Sequence, residues 1–83
     1  MLPRFLDTNI LLRYFTRDDP EKAERALALL QGVEQGQERV IISPMVIFET
    51  VFTLQHSYGV PRPRIRDLVE DIISLRGVQL SQN

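Results

Sequence analysis

Two carboxylates carry the chemistry this sequence can offer. Asp7 follows the short apolar run Arg4-Phe5-Leu6 and opens a polar triplet, Asp7-Thr8-Asn9. Glu49 stands between Met45-Val46-Ile47-Phe48 and Val51-Phe52, a segment apolar enough to be expected in the interior. A carboxyl buried without a partner is costly and tends to its neutral form. Glu49 is therefore expected to face a cleft, to pair with an Arg, or to share a narrow solvent-facing stripe with Thr50 and Thr53. Asp7 either caps the next helix or, with Thr8 doing the capping, points into the crevice at the carboxyl end of its strand, where open α/β sheets bind ligands. Two carboxylates meeting there are hard oxygen donors, suited to Mg²⁺ or Mn²⁺.

The elements that must position them can be read from spacing. Arg4-Phe5-Leu6 predicts a strand ending at a turn, and Ile10 to Phe15 a short helix with Thr8 as its N-cap. Asp19 and Pro20 start a second helix, Glu21 to about Glu34, with Ala23, Ala26, Leu27, Leu29, Leu30 and Val33 at helical spacing. Arg39-Val40-Ile41-Ile42 has the β-branched character of a buried parallel strand. Ser43-Pro44 caps a third helix, Met45 to about Tyr58, closed by Gly59. Pro61 and Pro63 set off a fourth, faced by Ile65, Leu68, Val69, Ile72, Ile73 and Leu75, and Val78-Gln79-Leu80 follows Gly77 as another strand. Strand, two helices, strand, two helices, strand predicts an α/β fold, a parallel sheet flanked by helices. Parallel strands end at one edge, so Asp7 and Glu49, one turn inside the third helix, should converge there. A third strand without a covering helix marks residues 1–83 as the N-terminal part of one larger domain, its C-terminal part missing.

Composition narrows the classes. The 83 residues carry ten basic and eleven acidic side chains, so the bulk positive charge of many nucleic-acid binders is lacking. Nine of the ten basic residues are Arg, a type that grips phosphate bidentately but is also abundant in some genomes. The longest uncharged apolar run, Val40 to Phe48, is too short for a membrane span of about 20 residues. Met1 to Phe15 carries Arg4, Asp7 and Arg13 and reads as no signal peptide. The lack of cysteine excludes disulfides and thiolate metal sites. A cytoplasmic location without membrane contact is expected.

Phe5-Leu6-Asp7-Thr8-Asn9-Ile10-Leu11-Leu12-Arg13-Tyr14-Phe15, followed by Asp18-Asp19-Pro20, resembles the opening of PIN-domain ribonucleases, especially VapC-type toxins of toxin–antitoxin pairs. Ser43-Pro44-Met45-Val46-Ile47-Phe48-Glu49, continuing to Leu54 and Tyr58-Gly59, is similar to that family's second acidic motif. The resemblance covers essentially the whole chain. It implies a PIN-like fold and cleavage of RNA with Mg²⁺ or Mn²⁺ held by acidic residues. Asp7 matches the first catalytic metal ligand and Glu49 the second, while Thr8 and Asn9 match polar residues that support the first. It also implies an antitoxin protein as partner and a homodimer. The family's third acid comes from a C-terminal half that nothing after Leu80 supplies. Asp67, Glu70 and Asp71 have instead the spacing of a solvated helix face.

The remaining polar residues have plainer readings. Arg13 and Arg17 fit solvated surface, and Arg62, Arg64 and Arg66 an exposed turn, with contact to phosphate as the sharper alternative for Arg13 and a basic rim for the three. His56 suits packing or the dipole at a helix C-terminus. Tyr14, Phe15, Phe48 and Phe52 are expected in the core. A nucleophilic Asp7, as in haloacid-dehalogenase-like phosphatases, would call for a second Asp where Asn9 stands. A non-catalytic module that binds an antitoxin or itself is the other alternative.

Overall fold

The protein is described by a computed structural model over residues 3–81. Its elements are β1 (Arg4–Phe5), α1 (Thr8–Thr16), α2 (Pro20–Glu34), β2 (Val40–Ile42), α3 (Pro44–His56), α4 (Arg62–Ile73) and β3 (Val78–Leu80). The strands form one parallel sheet in the order β1-β2-β3, with Arg4 opposite Val40 and Ile42 opposite Leu80. This is the α/β architecture expected from the element order.

Local chemistry sets most helix starts. Asp19 accepts from the Lys22 N–H at 3.2 Å, and Pro20 fits the first turn of α2 because no intrahelical N–H is needed there. Ser43 accepts from the Val46 N–H at 3.2 Å and starts α3 in the same way. The fourth helix departs from expectation. It begins at Arg62 with Pro63 inside its first turn, and Pro61 at its cap has no side-chain donor or acceptor to offer. The third ends at His56, two residues early, and the chain then passes Gly59 at φ 65°.

Strand alternation separates the two faces of the sheet. Leu6, Val40 and Ile42 are buried on one face with Leu11, Leu30, Val33 and Ile72. Phe5, Ile41 and Gln79 are in register on the other, where Phe5 is 69% exposed. A parallel sheet normally buries both faces, so this row is unusually open. Of the glycines, Gly77 leaves least room for a side chain. Its N–H donates to the Val33 carbonyl at 2.9 Å and its carbonyl accepts from Val40 at 2.9 Å. A Cβ at this position would run into the Glu38 carbonyl.

Phe48 and Phe52 correct the expectation of core aromatics. They are 63% and 52% exposed, and Met45 beside them is 63% exposed. With apolar residues nearly all round, α3 cannot bury every face in a molecule this small. Tyr14 and Phe15 do pack against the core.

Candidate functional site

The candidate site begins where β1 ends. The Leu6 N–H donates to the Ile41 carbonyl at 2.9 Å, extending the ladder by one residue, and the chain then turns into α1. Asp7 itself is the N-cap, with extended backbone angles, and its Oδ1 accepts from the Asn9 N–H at 3.1 Å. The expectation that Thr8 caps α1 is therefore corrected. An Asp at this position satisfies an orphan N–H, and the positive end of the helix dipole favours its charge. Thr8 falls at the first helical position, which frees its hydroxyl to donate to Glu49 Oε1 at 3.4 Å. The start of α1 and the second turn of α3 thus meet at one edge of the sheet.

Glu49 is exposed, which corrects the expectation of a carboxylate in the interior. The helix turns Thr50 and Leu54 inward instead, each 1% exposed, with Val46 and Ile47 packed against the core. Thr50 is thus no part of a solvent-facing stripe. Its hydroxyl donates to the Val46 carbonyl at 2.7 Å, one turn back, which lets a polar side chain sit in the interior. Pairing of Glu49 with an Arg is also set aside. Among the described residues the ion pairs are Lys22–Asp19, Arg25–Glu21 and Arg66–Glu70, none involving Asp7 or Glu49.

Two exposed carboxylates without protein cations are chemically suited to a hard divalent ion, which often takes one or two carboxylates and completes its shell with water. Among the described residues no group of three or more acidic, His or Cys side chains gathers into a metal site. Asp67, Glu70 and Asp71 are exposed on α4, where Glu70 accepts from Arg66 at 3.1 Å, in keeping with a solvated face. Arg62, Arg64 and Arg66 are exposed as well. Arg13 is half-buried, and the exposed Arg17 lies 5.8 Å from the centre of the Tyr14 ring. His56 packs tilted against Phe52 with ring centres 4.4 Å apart, and no hydrogen bond or ion pair among the described residues joins it to Glu49.

One contact lay beyond the reach of sequence reading. The Tyr58 hydroxyl donates to Asp18 Oδ2 at 2.8 Å, joining the end of α3 to the α1–α2 turn. This bond, then partial burial and the nearby charge of Asp18, raise the Tyr58 pKa above its ordinary 10.0. Nothing in the spacing of two residues forty positions apart announces such a pair.

Comparison with known proteins adds the family. The chain is 31% identical over 71 residues to a VapC ribonuclease of Aquifex aeolicus (strain VF5), a match covering 86% of this chain and 52% of that protein. It therefore spans about half the length of this relative. No helix among the described residues is long and apolar enough to cross a membrane. The model of the PIN domain matches residues 4–82, nearly the whole sequence, and the chain belongs to the PIN-domain family.

Proposed function

We propose that Asp7 and Glu49 hold Mg²⁺ or Mn²⁺ for the hydrolysis of RNA phosphodiester bonds. In this reading residues 1–83 form the N-terminal part of a PIN-like domain of the VapC ribonuclease kind. The observation that carries it is the hydrogen bond from Thr8 to Glu49, which ties the second acid to the residue following the first. Support also comes from the family match and from the likeness to the VapC ribonuclease of Aquifex aeolicus.

When bound, the ion would neutralise phosphate charge and acidify a water. The chain's own part is to hold carboxylate oxygens ready. Asp7 commits Oδ1 to the Asn9 N–H, which fixes the plane of the carboxylate and leaves Oδ2 for a cation. Glu49 likewise engages Oε1 with Thr8 and leaves Oε2. The start of α1 adds a positive dipole end, favourable to anionic substrate oxygens. Two carboxylates hold one ion weakly, because water must supply the remaining coordination. Further carboxylates from a C-terminal part would tighten the site and orient the attacking water. Cytoplasmic location, an antitoxin partner and a homodimer complete the proposal. The open sheet face around Phe5 fits a domain that continues beyond this segment.

A non-catalytic interaction module is the alternative, favoured by the exposed Met45, Phe48 and Phe52 on α3. Manganese titration and cleavage of a labelled RNA separate the two. The 83-residue chain should bind Mn²⁺ weakly, lose binding in Asp7→Asn and Glu49→Gln, and cut RNA little or not at all. Binding indifferent to both substitutions would remove the metal site and favour the module. Robust cutting abolished by Asp7→Asn would show that two acids suffice.

A further inference from the structure

The geometry points to Thr8 as the positioning residue for Glu49, a role that rests on reading Asp7 and Glu49 as a cation site. The two carboxylates are held by different means. Asp7 is anchored within its own turn, through the Asn9 backbone N–H two residues on. Glu49 is anchored from another element, through a hydroxyl forty-one positions earlier in the chain. The triplet Asp7-Thr8-Asn9 therefore divides its work. Asn9 serves the first acid with its backbone, and Thr8 serves the second with its side chain. The family resemblance had assigned both Thr8 and Asn9 to the first acid, and the hydrogen bonds assign them separately.

Glu49 needs such a tether. It is exposed, makes no ion pair among the described residues, and has Met45, Phe48 and Phe52 as exposed apolar neighbours on its helix. A solvated glutamate without a partner spreads over its rotamers, and fixing it when a cation binds costs affinity. Thr8 suits the task because a β-branched side chain has a restricted χ1. It is half-buried in the first turn of a helix, which narrows the directions its hydroxyl can take.

The test compares Thr8→Val, which keeps the branch and removes the donor, with Thr8→Ser, which keeps the donor. Loss of one hydrogen bond that orders a ligand should weaken Mn²⁺ binding about three- to tenfold in Thr8→Val. Thr8→Ser should recover most of it, with the thermal midpoint of both variants near that of the parent. Without metal, NMR couplings of the Glu49 methylenes should show more rotamer averaging in Thr8→Val. In a Glu49→Gln background Thr8→Val should have no further effect on Mn²⁺ binding, as expected when one residue acts through the other. If the parent binds Mn²⁺ through Glu49 while Thr8→Val binds equally well with unchanged couplings, the positioning role is overturned and the metal site stands. If Glu49→Gln binds Mn²⁺ as the parent does, both are overturned. Should Thr8→Val fold poorly, Thr8→Ala removes the same hydroxyl and is read against the same outcomes.

Discussion

Tyr58 and Asp18 show what one side-chain pair contributes at the surface. The neutral phenol donates to the carboxylate at 2.8 Å, whereas a phenolate would face it as a like charge. The folded state therefore keeps the Tyr58 proton to higher pH than the unfolded chain, with the hydrogen bond as the main cause. A raised folded pKa gives stability that is complete below the ordinary tyrosine range and lost as pH rises through the folded value. Solvent exposure keeps that share small. Phenolate absorbance should place the Tyr58 midpoint above that of a free tyrosine, and Asp18→Asn should bring it down. Tyr58→Phe identifies which transition is which. Equal midpoints with and without Asp18 would rule out the effect. Sequence reading singled out Asp7 and Glu49 because an acid directly after a strand and an acid within an apolar run stand out from their neighbours. It missed the exchange of roles between Asp7 and Thr8, since either type caps well and only the backbone path decides which stands at the cap.

The caps of α2 and α3 were legible for the opposite reason, as Asp19-Pro20 and Ser43-Pro44 bring acceptor and helix start together within a few residues. The inward face of α3 was not, because apolar residues surround it and periodicity has no contrast to report. Thr50 was the available signal, a residue able to bond one turn back and so to enter the core. Two substitutions test the element joints. Ser43→Ala removes the acceptor for the Val46 N–H and should lower unfolding stability by about 1 kcal/mol in urea titration. Gly77→Ala should cost more, about 1–3 kcal/mol, because its Cβ meets backbone carbonyls of Glu38 and Val33 that cannot turn aside as a flexible side chain would. An alanine as stable as glycine would mean that the β2–β3 junction yields more readily than its hydrogen bonds suggest.

At the scale of the molecule, the parallel α/β order followed from alternation of elements, and a third strand with no helix after it already pointed to a sheet short of cover. A chain of 83 residues buries a limited share of its surface, and here the shortfall is concentrated. Phe5 stands 69% exposed on the open sheet face, and Met45, Phe48 and Phe52 line the outside of α3. Phe48 and Phe52 lie with ring centres 6.1 Å apart, so they present one patch. Contiguous apolar patches of this kind mark interfaces or cause association. The homodimer proposed above would cover the α3 patch, since two copies of a helix face can meet isologously about a twofold axis. Light scattering across the micromolar range should therefore show a mass above that of one chain. Phe48→Ser together with Phe52→Ser should shift it toward the monomer while leaving the helical circular dichroism in place, because neither ring belongs to the buried core. Phe5→Ser serves as the contrast, as it relieves the sheet face and leaves α3 intact. If only Phe5→Ser dissociates the assembly, the open sheet and not α3 is the surface through which copies meet. A parent chain that stays monomeric throughout would remove the homodimer from the proposal.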